Sequence, residues 1–182
     1  MANTKWVIDP THSELGFKIK HLMITNVSGN FKEVEAEVST EGEDFASAVI
    51  EAKIKTGSIN TNNEQRDGHL RTSDFLEAEK YPQIIFKSTK IEKLDDDNFL
   101  VYGNLTMKGV TQPVKLNAEY SGVTKDPWGG ERAGVVITGK INRSQWGVTF
   151  NTVLETGGVA LSDEIKIHSE IQLVKQAVSV AA

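Results

Sequence analysis

The residues of this sequence best suited to metal or acid–base chemistry are four histidines, at His12, His21, His69 and His168. None stands at the spacing of a zinc motif such as HExxH, and His168 falls on the predicted solvent-facing side of a strand. The sequence contains no cysteine, which excludes disulfides and zinc sites with sulfur ligands. We therefore predict hydrogen-bonded loop and surface histidines, no metal site and no cofactor.

The adjacent residues His12 and Ser13 resemble a base beside a nucleophile. Neighbouring side chains on an extended chain point to opposite faces, so these two groups cannot readily pair. The sequence also lacks the GxSxG motif that exposes a catalytic serine. We expect this segment to close a turn in which Asp9 and Ser13 bind backbone groups, and we predict no catalytic residue here.

A denser polar cluster is formed by Arg66, Asp67, His69 and Arg71. Arginine can bridge several carbonyl oxygens, and Asp67 stands at i,i+4 spacing from Arg71, so a structural latch is the favoured interpretation. The alternative is an enzyme that uses Arg66, Asp67 and His69 on a hydrophobic substrate. Because no nucleophile or metal site accompanies the cluster, we predict that the protein is not an enzyme.

Two loops carry residues that could bind a ligand. Asp95-Asp96-Asp97-Asn98 lacks the ligand spacing of a calcium loop, which favours a solvated hairpin turn. Trp128 lies in a glycine-rich loop, where it could cover a cavity mouth, touch a membrane or pack against another loop.

The overall composition limits the classes of partner. The chain has 182 residues, 38% of them hydrophobic, and a net charge of −5, which disfavours nucleic acid. We expect one domain over 1–182 with a loose tail at 175–182. Apolar runs of three or four residues predict no transmembrane segment. No leader is visible, so we expect a cytoplasmic protein, or a periplasmic one if a leader was removed. A homodimer is an open option.

Alternation of apolar and polar residues is the dominant pattern and predicts half-buried antiparallel strands. Six segments show it: Leu15–Ile19, Val34–Val38, Ala48–Ile54, Val114–Tyr120, Ala133–Ile137 and Ile165–Leu173. In segment 98–108, Phe99, Val101 and Leu105 share one face, while Leu100 and Tyr102 share the other. Counting eight or nine strands, we expect an extended antiparallel eight-stranded barrel, because closure removes exposed sheet edges.

Two local features refine the predicted barrel. If the first turn is centred on Asn26-Val27, then Phe17 faces Ala36 and Lys18 faces Glu35 across a hairpin. Capping-box spacing at Thr61/Glu64 and at Asp74/Glu77 predicts a short helical segment near residues 62–79. Small residues recur on the apolar faces, at Ala36, Ala48, Ala52, Ala118 and Ala133. A ligand cavity and a solid core are equally consistent with this composition.

Several motifs in fixed order carry a resemblance to a known family. In chain order they are Trp6–Ser13, Phe17, His21-Leu22, Gly29-Asn30-Phe31, Arg66–Leu70, Asp74-Phe75, Tyr81-Pro82, Phe86-Lys87-Ser88, Gly103–Thr111 and Ile141–Gly147. This order and spacing resembles the YceI-like family of polyisoprenoid-binding proteins, over residues from about 5 to 174.

The resemblance implies a lipocalin-like barrel whose apolar interior takes an isoprenoid lipid of the polyprenyl or isoprenoid quinone type, for storage, sequestration or transport. A ligand-free structural barrel is the further alternative. Combined with the alternation, the resemblance predicts the following lipid-binding residues: Phe17, Ile19, Val34, Ala36, Ile50, Ala52, Phe75, Phe86, Leu116, Tyr120, Trp128, Val135, Ile137, Trp146 and Phe150.

Overall fold

Alternating strands with one apolar face bury that face by curving round and pairing edge to edge. The computed structural model describes residues 3–152, 154–155 and 159–177, and within these it has eleven strands in one antiparallel sheet. The strands are β1 (Asn3–Ile8), β2 (Glu14–His21), β3 (Thr25–Phe31), β4 (Val34–Glu41), β5 (Asp44–Lys55), β6 (Ile59–Asn60), β7 (Gln83–Lys93), β8 (Asn98–Met107), β9 (Val110–Lys125), β10 (Glu131–Asn142) and β11 (Leu161–Lys175).

The eleven strands make a closed barrel with eight strand positions around the ring, because at three of these positions two strands lie end to end. β1 and β2 lie end to end along β11, on either side of a single helical turn at Pro10–His12. β4 and β3 pair with β1 and β2 respectively, and β5 and β6 then pair with β4 and β3. The remaining five positions are occupied by β7 to β11 in order, and β11 closes the ring by pairing with β1. The predicted eight-stranded antiparallel barrel is confirmed.

The predicted register of the first hairpin is wrong. β2 pairs with β3 across a turn at Leu22-Met23, so Phe17 lies opposite Gly29 and Lys18 opposite Ser28. β3 was not predicted, because in its sequence TNVSGNF only Val27 and Phe31 are apolar and Gly29 between them weakens the alternation. Glu35 does face a lysine, but the partner is Lys53 on β5. In the six alternating segments the side chains that point into the barrel were still predicted correctly, since alternation within one strand does not depend on its partner.

The helical segment is shorter than predicted. Helix α1 spans Glu64–Leu70, and residues 71–80 form turns. The N-cap is Asn63, whose side chain accepts a hydrogen bond from the Arg66 amide at 3.0 Å, and not Thr61. No helix begins at Asp74; the chain turns instead, and Glu77 adopts a left-handed φ of 49°.

Two buried tryptophans fix opposite ends of the core. Trp6 donates from Nε1 to Thr40 Oγ1 at 3.1 Å, and Trp146 donates to the Leu105 carbonyl at 2.9 Å, so both indole N–H groups are satisfied. The predicted tail at 175–182 begins inside the sheet: Lys175 ends β11 and pairs with Glu131 at 2.7 Å. Residues 178–182 lie outside the described residues.

Candidate functional site

The barrel interior holds two contiguous apolar cavities. The upper cavity has a volume of about 230 Å³ and the lower cavity, next to α1, about 440 Å³. The two are adjacent and share five lining residues: Leu15, Ile54, Leu105, Ile167 and Ser169. The lower cavity alone falls within the volume range of small-molecule sites.

The upper cavity is lined by buried and half-buried side chains. None of its lining residues is exposed, and small side chains on two neighbouring strands, Ala36 on β4 and Ala48 and Ala52 on β5, leave the space open. At the end remote from α1, Phe45 stacks against Tyr120 with ring centroids 4.6 Å apart and against Trp6 at 5.2 Å. Burial raises the pKa of the Tyr120 hydroxyl, with a smaller contribution from Glu43, so this group is a neutral phenol at neutral pH.

The lower cavity opens to solvent at a mouth beside α1. Five of its lining residues are exposed and define the mouth: His21, Arg66, His69, Phe150 and Thr152. His69 contacts Phe75 and Phe150 edge-on, with ring centroids 5.1 Å apart in both cases. Its Nε2 lies 2.8 Å from Asp74 Oδ2, which orients the imidazole over the aromatic pair. The mouth therefore combines aromatic faces with polar groups.

The predicted latch is present for Arg66, Asp67 and Arg71, with a different partner for Asp67, whereas His69 lies outside it at the mouth. The carboxylate of Asp67 is buried and accepts hydrogen bonds from both the amide and the hydroxyl of Thr61, and it forms no ion pair with Arg71. Arg66 donates from Nε to Thr61 Oγ1 and from Nη2 to the Thr61 carbonyl, both at 2.8 Å. Arg71 donates to the carbonyls of Gly57 and Ile59. The cluster thus ties α1 to the chain around β6.

Arg143 is a buried cation beside the lower cavity that the sequence reasoning missed as a site residue. It is 3% exposed, and its guanidinium donates to the carbonyls of Ser162, Val148 and Phe150 at 2.9–3.0 Å. Burial lowers the pKa of the Arg143 guanidinium, and the negative charge of Asp163 partly offsets this shift. Because Val148 and Phe150 belong to the segment that follows Trp146 and Ser162 belongs to β11, Arg143 ties that segment to the barrel wall at one side of the mouth.

Thirteen of the fifteen residues predicted to bind lipid line the two cavities, and two do not. The upper cavity contains Val34, Ala36, Ile50, Ala52, Phe86, Leu116, Tyr120, Val135 and Ile137. The lower cavity contains Phe17, Ile19, Phe75 and Phe150.

The two exceptions are tryptophans. Trp128 is 83% exposed in the turn between β9 and β10 and lines neither cavity. Trp146 is buried in the wall behind the lower cavity, where it packs with Ile54 and Met107 and does not face the space. The motifs that contain Trp128 and Trp146 do not indicate the direction in which each ring points.

The other polar interpretations can be compared with the structure. Asp9 accepts a hydrogen bond from the Thr11 amide, and Ser13 donates to and accepts from the backbone of Gln172, so the predicted turn is confirmed. Asp95 accepts from the Asn98 amide in a solvent-exposed hairpin turn. Within the described ranges no three His, Cys, Asp or Glu side chains are grouped to hold a metal ion.

Comparison with known proteins gives a single family. Residues 6–173 match the model of the YceI-like domain. This chain is a YceI-like protein. A Staphylococcus aureus (strain N315) UPF0312 protein is 38% identical over 170 residues, which cover 93% of this chain and 96% of that protein.

Solved structures of similar proteins have the same barrel as this YceI-like chain. The Campylobacter jejuni YceI protein is 36% identical, with a TM-score of 0.75 over 88% of this chain and 91% of that one. Burkholderia cenocepacia BcnA has a TM-score of 0.77 at 21% identity, over 91% and 98% of the two chains. A polyisoprenoid binding domain from Saccharophagus degradans has a TM-score of 0.68 at 18% identity, over 94% and 98%. The last two likenesses concern the fold alone.

One further comparison concerns membranes. None of the helices in the described part of the chain is long and apolar enough to cross a bilayer.

Proposed function

We propose that this YceI-like protein binds one linear isoprenoid lipid, with its hydrocarbon chain along the two cavities and its head group at the mouth. The observation that carries the proposal is that two apolar cavities lie next to each other along the interior, share five lining residues, and have exposed lining residues only at the mouth of the lower one. A prenyl chain is apolar, thin and long, and so matches this shape better than a compact ligand does. The match of residues 6–173 to the YceI-like domain agrees with the family resemblance, which implies the same ligand class.

The length of the interior sets the length of chain that fits. Barrel strands of about ten residues, tilted to the axis, enclose a space roughly 25 Å long. At about 4–5 Å per isoprene unit, roughly five or six extended units fit. A longer chain would fold back between the cavities or protrude at the mouth.

The energetics favour exchange over irreversible extraction. Burial of some 25 carbons at ~0.8 kcal/mol each gives about 20 kcal/mol relative to water, before the cost of ordering the chain. The lipid's other host is a membrane, however, and transfer between two apolar environments is nearly neutral. The role that follows is storage, sequestration or transport of the lipid.

The polar groups at the mouth would face the head group. Arg66 and His69 lie at the exposed end of the lower cavity, and Phe75 and Phe150 offer ring faces beside them. This combination suits a quinone ring or a prenyl phosphate, since the rings can stack on the aromatic residues and the cation can bind oxygen. No cofactor other than the lipid is needed.

We infer binding and not catalysis at this mouth. Both hydrogen bonds of the buried Asp67 Oδ1 go to Thr61, so this carboxylate is not free to act as a base. The enzyme alternative would need a nucleophile beside His69, whose polar neighbour in the described residues is Asp74.

Native mass spectrometry of freshly purified protein, with organic extraction of its ligand, tests the proposal. We expect a prenyl lipid at a ratio of one per chain, and saturable uptake of prenyl alcohols or isoprenoid quinones by the emptied protein. Failure of every tested prenyl compound to saturate binding would reject the function, and turnover of the ligand would favour an enzyme.

A further inference from the structure

The turn between β2 and β3 exposes three consecutive apolar side chains, which we call the tip: Leu22, Met23 and Ile24. They are 39%, 64% and 78% exposed. The Ile24 amide donates to the His21 carbonyl at 3.1 Å, so the turn is a tight hairpin with Leu22 and Met23 at its centre. Apolar side chains of this size at a hairpin turn cost solubility and gain no packing in the protein itself.

The backbone of the tip adds a second cost. Leu22 and Met23 have φ values of 55° and 58°, in the left-handed region. The loop has three residues between the paired His21 and Thr25, and left-handed positions such as its first two favour Asn or Gly, because bulky side chains are strained there. The protein thus keeps two large apolar residues where a polar pair would be both less strained and more soluble. Strain of this kind is typical of functional positions.

The tip lies beside the cavity mouth. His21, which precedes it, lines the lower cavity, and the Leu22 amide donates to the carbonyl of Ala160, another lining residue. Val159, next to Ala160, and Phe150 at the mouth are also exposed. The exposed apolar surface of this end of the barrel is therefore continuous with the entrance to the apolar interior.

A row of lysines covers the outer face next to the tip. Lys18 lies opposite Lys166, and Lys166 lies opposite Lys140, across β2, β11 and β10, with Lys20 two residues from Lys18 on the same face. Like charges directly opposite each other destabilise a sheet. Lys140 Nζ lies 4.0 Å from Glu164 Oε1. Among the described residues, neither Lys18 nor Lys166 forms an ion pair with a carboxylate. The row is positive despite the acidic net charge of the chain.

We propose that this end of the barrel docks on an anionic lipid bilayer, with the tip inserted among the acyl chains and the lysine row against the phosphate groups. The inference rests on the proposed function, because it gives the direction from which an isoprenoid enters. Insertion of the tip would place the mouth at the membrane surface, so that a lipid passes from bilayer to cavity without crossing water. The charge of the row selects an anionic surface over a neutral one.

The test is flotation of the full chain with vesicles of phosphatidylcholine alone and of phosphatidylcholine with 30% phosphatidylglycerol. We expect the wild type to float with the anionic vesicles and to bind them more weakly at high salt. The variant Leu22→Asn/Met23→Gly should lose roughly tenfold or more of this binding, because two inserted apolar side chains are removed. The same change relieves the strained turn and should raise the melting temperature, which separates lost docking from lost folding.

Two controls complete the design. Leu94→Asn removes an exposed apolar side chain, 55% exposed, from the β7–β8 turn and should leave vesicle binding unchanged. Lys18→Glu/Lys166→Glu should abolish the preference for phosphatidylglycerol. Equal flotation of the wild type and the tip variant, or no flotation of the wild type, would overturn the proposal.

Uptake of a C20 prenyl alcohol without vesicles, read by mass spectrometry, separates the two proposals. The tip variant should take it up like the wild type. A wild type that floats but never takes up the alcohol contradicts the lipid-binding function and not the docking.

Discussion

Arg132 donates from Nη1 to Oδ2 of Asp9 at 2.6 Å, and this contact ties the turn after β1 to the start of β10. The same carboxylate accepts from the Thr11 hydroxyl, and His12 Nδ1 lies 2.7 Å from it. These hydrogen bonds, that of His12 foremost, hold the pKa of Asp9 well below its ordinary range. Arg132 also contacts Asp126, so one guanidinium joins two loops at the upper end of the barrel.

The lowered pKa of Asp9 predicts a pH-dependent stability. A carboxyl group with a depressed pKa in the folded state stabilises the protein above its unfolded pKa of about 4, and this stabilisation is lost as the pH falls further. We expect Asp9→Asn to lower the free energy of unfolding by about 1–3 kcal/mol at pH 7. The difference from wild type should shrink between pH 4 and pH 2, measured by urea unfolding.

Asp96→Asn is the control for this measurement. Its side chain is 98% exposed and contacts only Lys93 among the ion pairs of the described residues, so we expect little change at any pH. A constant difference between Asp9→Asn and wild type down to pH 2 would contradict the assignment of the stabilisation to an ionised Asp9.

A charge in the upper cavity should block lipid binding. Ile50 and Val135 line that cavity, and Ile50→Lys or Val135→Lys would place an unpaired ammonium there at a cost of several kcal/mol. We expect uptake of a prenyl alcohol to fall at least tenfold. Lys53→Glu, on the outer face of the same strand as Ile50, should bind normally. Folded cavity variants that bind like wild type would show that the lipid lies elsewhere.

The contact between Asp67 and Thr61 should stabilise the helix at the mouth. Asp67→Ala leaves the buried Thr61 amide without its acceptor, which costs about 1–3 kcal/mol. Combination with Thr61→Val in a double-mutant cycle should give a coupling energy of about 1 kcal/mol or more. Gln65→Ala, at an exposed position of α1, should change neither stability nor the rate of lipid release. Additive effects of the Asp67 and Thr61 substitutions would contradict this coupling.

Two glycines should respond in opposite ways to alanine. A Cβ at Gly103 would lie 2.5 Å from the Phe86 ring and 2.6 Å from the Lys87 carbonyl oxygen, whereas one at Gly68 in α1 meets open space. We expect Gly103→Ala to destabilise by roughly 1–3 kcal/mol and to move Phe86, a residue of the upper cavity. Gly68→Ala should stabilise by up to about 1 kcal/mol through helix propensity. Thermal unfolding of the two variants checks both signs.

The part of the fold that could be predicted from the sequence is the part that depends on local pattern. Alternation within β5 or β10 identifies the inward residues, such as Ile50 and Val135, without knowledge of the neighbouring strand. Register is different, because it depends on where a turn forms. The β2–β3 turn sits at Leu22-Met23, two residues that carry no turn signal, and so the first hairpin was placed wrongly.

The candidate site could likewise be predicted only where it depends on the local sequence pattern. Its apolar lining follows from alternation, but the directions of Trp128 and Trp146 follow from contacts distant in sequence. Arg143 belongs to a visible motif, yet its role depends on carbonyls that only the folded chain brings around it. The partner of Asp67 was missed because Thr61, six residues earlier, was expected to cap the helix.

Closure of the barrel between β1 and β11 has a consequence for biosynthesis. β1 leaves the ribosome before β11, with all the other strands between them, so until β11 emerges the nascent barrel is an open sheet with two unpaired edges. At about 5–20 residues per second, this state lasts on the order of ten seconds or longer. Throughout that time the apolar face that will line the cavities is exposed. We expect the nascent chain to be a client of holdase chaperones until the last strand pairs with the first.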